Sequence, residues 1–234
     1  MIDFFFWTTP NGQKVMICLE ETGLPYRLNT VNISKGEQLQ ADFLEISPNN
    51  KIPAIRDNDS ADGAPLTVFE SGAILFYLAE KSGTLLPLKA RGRVAAMEWV
   101  FWQVGGLGPM AGQNHHFAHY APEKIPYAIQ RYVTETGRLY GVLDKRLAAR
   151  EFILGEYSIA DIAAYPWVFD YGRQGQDLDD FPNVKRWFQA ISARPAVRRA
   201  REQADAVNIA PNVNDQSRAV LFGQGAARSA ARAS

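Results

Sequence analysis

Ser47-Pro48-Asn49-Asn50-Lys51-Ile52-Pro53-Ala54-Ile55, with Leu66-Thr67-Val68-Phe69-Glu70-Ser71-Gly72 after it, is the stretch whose reading decides the fold. Ser47-Pro48 stops a short helical pattern over residues 42–46, because the residue before a proline is pushed out of the helical region. Residues 52–55 and 66–69 are apolar runs on either side of the turn-rich segment 57–63, so they read as a β-hairpin. Residues 70–81 then carry apolar side chains at 74, 75, 78 and 79, the helical spacing, and Gly83 closes the helix.

Upstream, residues 2–7 form a short aromatic run that reads as a buried strand. Thr9 and Pro10 give an N-cap followed by proline at the first helical position. Val15, Cys18 and Leu19 give that helix an apolar side, Gly23 suits its C-terminal cap, and residues 26–31 read as a second strand. The order is β-α-β-α-β-β-α, an α/β, thioredoxin-like arrangement built on a βαβ unit. Near Leu85-Leu86-Pro87-Leu88 the strand signals stop. Helical patterns follow at 94–104, 126–147, 159–168 and 182–193, with Gly105-Gly106-Leu107-Gly108-Pro109 expected to interrupt or kink the first. The expected division is residues 1–84, then an all-α part at 89–204, then a mobile tail at 205–234 in which Val220-Leu221-Phe222 could dock.

The chain has 234 residues, and its 25 Lys and Arg equal its 25 Asp and Glu. Nothing in that balance selects nucleic acid or an anionic membrane. A single cysteine, Cys18, excludes an intrachain disulfide and reads as a buried structural thiol. No basic leader and no long apolar run is seen, so the expectation is a cytoplasmic protein.

Pro53 enters a strand in the middle of a small sheet, where a proline is normally excluded. A cis bond there would turn the backbone of Ile52 outward to pair with an extended peptide. Glu70-Ser71 opens a helix: Ser71 could cap it, the free N–H groups suit a carboxylate, and Glu70 suits an ammonium. Together these offer one group for each charge of an amino acid. His115, His116 and His119 lack a third ligand and a cysteine, so no metal is expected. Ser158-Ile159-Ala160-Asp161 is a capping box with a structural role. Trp99, Val100 and Trp102 read as core and dimer contact.

Residues 47–54 together with Phe69-Glu70-Ser71-Gly72-Ala73-Ile74 resemble the glutathione-binding signature of the glutathione transferases. Residues 8–12, 101–117 and 126–132 are similar to the bacterial nu class, the glutathione-dependent disulfide-bond oxidoreductases. The resemblance runs from residue 1 to about 200. It implies the glutathione transferase fold, glutathione as co-substrate and a homodimer. It gives Ile52, beside cis Pro53, the cysteinyl backbone of glutathione, and gives Glu70 and Ser71 the γ-glutamyl end. Thr9 and Asn11 fall where nu-class proteins place residues near the glutathione sulfur. Their donors and the helix N-terminus would favour the thiolate of a thiol with pKa about 8.5. Gln38 and Lys51 could hold the glycyl carboxylate. Arg131, and more weakly Gln103, match the region that meets a second glutathione, Arg131 possibly across the dimer. The reaction expected is reduction of small or protein mixed disulfides. Conjugation to electrophiles and a non-catalytic interaction module are the alternatives.

Overall fold

The computed structural model describes residues 1–207 and 215–223. Its first part contains β1 (Ile2–Phe6), α1 (Pro10–Thr22), β2 (Tyr26–Thr30), α2 (Ala41–Ile46), β3 (Ala54–Asp57), β4 (Leu66–Phe69) and α3 (Ser71–Ser82). The strands lie in the order β2-β1-β3-β4. β1 runs parallel to β2, with Phe4 opposite Leu28, and antiparallel to β3, with Phe4 opposite Ile55. β3 and β4 pair antiparallel as a hairpin.

Local chemistry sets these elements. Pro10 is the first residue of α1, and the Thr9 side chain accepts the Gly12 N–H as its cap. Gly23 ends the helix at φ +67°, returning its N–H to the Leu19 carbonyl. Phe4, Phe6 and Ile55 from the sheet are fully buried with Val15 and Leu19 of α1 and Ile74, Leu75 and Leu78 of α3. Each such side chain contributes roughly 1.5–3 kcal/mol when removed from water. Cys18 is buried in this layer, and burial pushes its thiol pKa up, as suits a structural thiol.

The remaining elements are helices: α4 (Ala90–Trp102), α5 (Gly108–His115), α6 (Pro126–Leu147), α7 (Ile159–Val168), α8 (Pro182–Ser192), α9 (Pro195–Val207) and α10 (Asp215–Phe222). The glycine run does not break the chain direction. A π-helical turn, Gln103–Leu107, joins α4 to α5, and a second, His116–Tyr120, follows α5. Pro109 has no N–H for the α-helical ladder, and the wider turn before it absorbs the loss. α1 packs against α3, α7 and α9, so one hydrophobic cluster runs from the sheet into the helices.

The capping box of α7 is present, and Asp161 does more than close it. Its carboxylate accepts the Ser158 N–H and O–H at 3.0 Å each, the Ile153 N–H at 2.9 Å and the Trp187 indole at 2.8 Å. Val100 is buried, and the Trp99 and Trp102 rings pack on the core 5.1 Å apart. α9 was not foreseen because its inward stripe, Ala196, Val197, Ala200 and Ala204, is mostly alanine. The reading of 205–234 as a tail falls largely outside the described residues. Within it, residues 205–207 continue α9, and α10 docks, with the Phe222 ring 4.8 Å from that of His116. No described helix is long and apolar enough to cross a membrane.

Candidate functional site

The site begins where β1 delivers the chain into α1. A Cβ added to Gly12 would fall 2.4 Å from the Trp7 carbonyl oxygen. Only glycine lets the helix start this near the strand. Thr9 Oγ1 accepts the Gly12 N–H at 3.1 Å, which leaves its own O–H proton free to donate outward. Asn11 Oδ1 accepts the indole N–H of Trp167, on α7, at 2.9 Å. That contact fixes the amide so that Nδ2, a pure donor, faces away from Trp167. Thr9 and Asn11 both line a cavity of about 440 Å³.

Gln38, Lys51 and Ile52 line the same cavity. The Ile52–Pro53 bond is cis, and Pro53 is buried just ahead of β3. Gln38 is 2% exposed; its Nε2 donates to the Ile33 carbonyl at 3.2 Å and its Oε1 has no partner. Trp7, Tyr120, Trp167 and Phe222 supply aromatic surface to the cavity. Phe222 comes from α10 and also stacks on Tyr120 at 5.8 Å.

A second cavity of about 710 Å³ shares Asn11 and Lys51 with the first and adds Glu70, Ser71 and Gln103. Glu70 is exposed and holds φ +71°, a region that side chains rarely adopt. Such backbone persists where surrounding structure over-determines it, commonly at binding sites. The Glu70 carboxylate accepts from Asn49 Nδ2 at 3.4 Å.

Ser71 is the first residue of α3 and not its cap; the cap position belongs to Glu70, which makes no side-chain capping bond. The physical reason is the frame: Glu70 holds the non-helical position at φ +71°, so Ser71 already lies within the helix, where its hydroxyl accepts from Lys14 Nζ at 3.2 Å. The first N–H groups of α3 still lack intrahelical acceptors and favour an anion. Lys14 also donates to Gln103 Oε1 at 2.5 Å. Gln103 is fully buried, with its Nε2 unpartnered.

The chain thus gathers Thr9, Asn11, Gln38, Lys51, Ile52, Glu70, Ser71 and Gln103 around two adjoining cavities. It does not bring Arg131 to them. That residue's side chain, on α6, is 57% exposed and lies 3.7 Å from Glu135. Lys14 and Trp167 were missed. Lys14 interrupts the apolar face of α1 three residues after Asn11, a spacing that puts both on one side of the helix. Nothing local in the sequence ties Trp167 to Asn11. His115, also unforeseen here, is 7% exposed and lines the smaller cavity with an unpartnered Nε2. Burial lowers its pKa to about 4 against the pull of Asp170, so the ring is neutral at physiological pH. Among the described residues no group of three or more His, Cys, Asp or Glu could hold a metal.

A thioredoxin-like sheet with a cis proline and a helix N-terminus beside it, joined to an all-helical part, define the class: an α/β plus all-α protein. The glutathione S-transferase N-terminal domain model matches residues 8–81 and the C-terminal domain model residues 111–195. The chain belongs to the glutathione S-transferase family. It is 58% identical over 202 residues to the disulfide-bond oxidoreductase YfcG of Escherichia coli (strain K12), covering 86% of this chain and 94% of the relative. It is 45% identical over 208 residues to the disulfide-bond oxidoreductase YghU of the same organism, covering 82% and 71%. A glutathione transferase of Burkholderia graminis, solved with two glutathione molecules bound per subunit, superposes with TM-score 0.83 at 46% identity over 89% of each chain. One from Pseudomonas putida, with one glutathione disulfide bound per subunit, gives TM-score 0.82 at 44% identity over 85% and 90%.

Proposed function

We propose that this chain is a glutathione-dependent disulfide-bond oxidoreductase. The observation that carries the reading is the first turn of α1. It offers two neutral donors, Thr9 and Asn11, and no cysteine, so the reacting sulfur comes from glutathione. The Thr9 hydroxyl and Asn11 Nδ2 stabilise the thiolate. Ile52 pairs with the cysteinyl backbone, Gln38 and Lys51 hold the glycyl carboxylate, and Glu70 and Ser71 hold the γ-glutamyl end.

The glutathione thiolate attacks one sulfur of a mixed disulfide, forming a new S–S bond and expelling the other sulfur as a thiolate that takes up a proton. A second glutathione thiolate attacks the glutathione sulfur of that product. Oxidised glutathione leaves, the substrate thiol is released, and two electrons have passed from two glutathiones to the substrate. Rates follow the thiolate fraction and access to the sulfur. The two adjoining cavities give room for a second molecule beside the first.

Residues 1–84 serve as the glutathione-binding domain and 89–204 as the helical domain. The working form is a cytoplasmic homodimer. Exposed apolar side chains on β4 and α4 support this, among them Leu66, Phe69, Val94, Met97 and Phe101. Arg131 meets the second glutathione from the partner subunit's side of that dimer.

Side-by-side turnover of hydroxyethyl disulfide and an aryl halide with glutathione tests the reaction. Efficient reduction of the disulfide with slow conjugation is expected. The reverse outcome would make the chain a conjugating transferase that uses the same thiolate.

A further inference from the structure

Lys14 is 1% exposed, on a helix whose neighbouring residues Val15, Met16 and Ile17 are core. A buried ammonium costs several kcal/mol unless something offsets it. Here its two hydrogen-bond partners are neutral, the Ser71 hydroxyl at 3.2 Å and the Gln103 carbonyl at 2.5 Å. A cation held this way is under-compensated, and it lines the larger cavity rather than facing solvent. The Gln103 amide is itself packed so closely that a Cβ on Gly108 would lie 2.8 Å from its Nε2. Neither hydrogen-bond partner of Lys14 is an anion, and Glu70 acts on it only through its field.

We propose that Lys14 is a positioning residue whose charge is completed by the α-carboxylate of the γ-glutamyl group, so that glutathione binding is coupled to protonation of this lysine. The proposal rests on the reading that glutathione occupies this site. Ser71 accepts from Lys14, so its own hydroxyl proton is left to donate to the carboxylate. Lys14 therefore acts on the ligand through Ser71 and through its field.

The surrounding charges favour this assignment. Glu70, at the start of α3, is the negative group facing Lys14, and it raises the lysine's pKa. Burial outweighs it and brings that pKa down from 10.5 to about 7. Lys51 and His116 line the same cavity, and α7 contributes Trp167 to it. On α1 itself, Glu20 and Glu21 are held by Arg199 and Arg194 of the segment around α9. An incoming carboxylate adds the missing negative charge and favours the ammonium form.

Free protein carries a partly neutral Lys14 near pH 7 and a mostly neutral one at pH 8, while the complex holds it protonated. Binding at pH 8 therefore takes up roughly half a proton or more, and affinity falls as pH rises above 7.

Titration calorimetry of S-methylglutathione in buffers of different ionisation enthalpy, at pH 8, tests the coupling. The methylated sulfur removes thiol ionisation from the balance. Lys14→Met serves as reference, so proton uptake by the ligand's own amine cancels. Greater uptake by the wild-type protein than by the variant is expected, with binding to the variant weaker by roughly tenfold because the Ser71 hydroxyl and the ligand carboxylate lose the nearby ammonium. Equal uptake by the two overturns the role of Lys14 while leaving the site intact. Failure of the wild-type protein to bind S-methylglutathione overturns the glutathione reading itself. The wild-type measurement stands even where the variant folds poorly. In turnover, Lys14→Met should raise KM for glutathione and leave kcat within about twofold, the signature of lost uniform binding. A fall in kcat at unchanged KM contradicts positioning.

Discussion

On the proposed reading, replacing Asn11 by alanine removes one donor from the place where the glutathione thiolate forms. Asn11 Nδ2 is free to donate because Trp167 occupies Oδ1 at 2.9 Å. A hydrogen bond to a charged group contributes about 1.5–3 kcal/mol. At 1.36 kcal/mol per unit, its loss raises the pKa of bound glutathione by about 1–2 units. The loss in rate is smaller than the loss in thiolate, because a more basic thiolate is a better nucleophile, with a Brønsted coefficient of about 0.4–0.5. Disulfide turnover should then fall about 3–10-fold at pH 7. Above the raised pKa the variant should match or pass the wild type. The assay is a pH profile of kcat/KM with hydroxyethyl disulfide, beside absorbance titration of the bound thiolate. Folding should change little, since the orphaned Trp167 indole costs about 1 kcal/mol. A rate loss equal at every pH would refute thiolate stabilisation and leave Asn11 only a positioning role, and an unchanged rate would remove it from the mechanism.

Three further outcomes are expected. Lys14→Met should stabilise the ligand-free protein at pH 6 by about 1–3 kcal/mol, because a buried, under-compensated charge is replaced by an apolar chain of similar length. The unfolded state binds more protons than the native state between pH 7 and the ordinary lysine value of 10.5, so the Lys14 contribution to wild-type stability rises with pH and the variant's advantage in urea melts should shrink toward pH 10. Asp161→Ala should cost about 3 kcal/mol or more in thermal melts, since it orphans buried donors from Ser158, Ile153 and Trp187 at once; a loss under 1 kcal/mol would show that those groups find other acceptors. Phe222→Ala removes a ring that stacks on Tyr120, meets His116 edge-on and lines both cavities, and kcat/KM should rise for bulky disulfides relative to hydroxyethyl disulfide.

Much of this was legible in the chain because it is written in local chemistry. Thr9-Pro10 and Gly23 bracket α1, and Ser158 with Asp161 caps α7, as short-range patterns predict. Ile52-Pro53 marks a cis bond through a proline where a central strand forbids an ordinary one. The contacts that escaped are long-range. Lys14 meets Gln103 across 89 positions, and Asn11 meets Trp167 across 156. No spacing rule connects such pairs before the helices pack. Ser71 differs by one position: serine before an apolar helix is a cap signal, but the cap position falls on Glu70 at φ +71°, and the Ser71 hydroxyl meets Lys14 from α1 instead. α9 escaped because alanine replaces the large apolar residues that make periodicity visible, and α10, with eight residues, is too short to show a period although its Val220-Leu221-Phe222 reads as a docking segment.

The two halves of the site use different physics, and the reaction explains why. Burial of Lys14 and the positive φ of Glu70 both cost stability, and on the proposed reading the γ-glutamyl carboxylate offsets the first of these when it arrives. Binding energy is spent there on position. In the first turn of α1, where the sulfur must react, the side chains Thr9 and Asn11 are neutral. A cation in their place would lower the thiol pKa further, yet it would also weaken the thiolate as a nucleophile and hold the product disulfide's leaving sulfur. Neutral donors bring the pKa toward ambient pH, where exchange is fastest, and leave the anion free to attack. This predicts that Asn11→Lys lowers the pKa of bound glutathione, so that thiolate absorbance persists to more acidic pH, while disulfide turnover at pH 7 falls. A variant that both acidified the thiol and accelerated turnover would show that thiolate supply, and not its nucleophilicity, limits the enzyme.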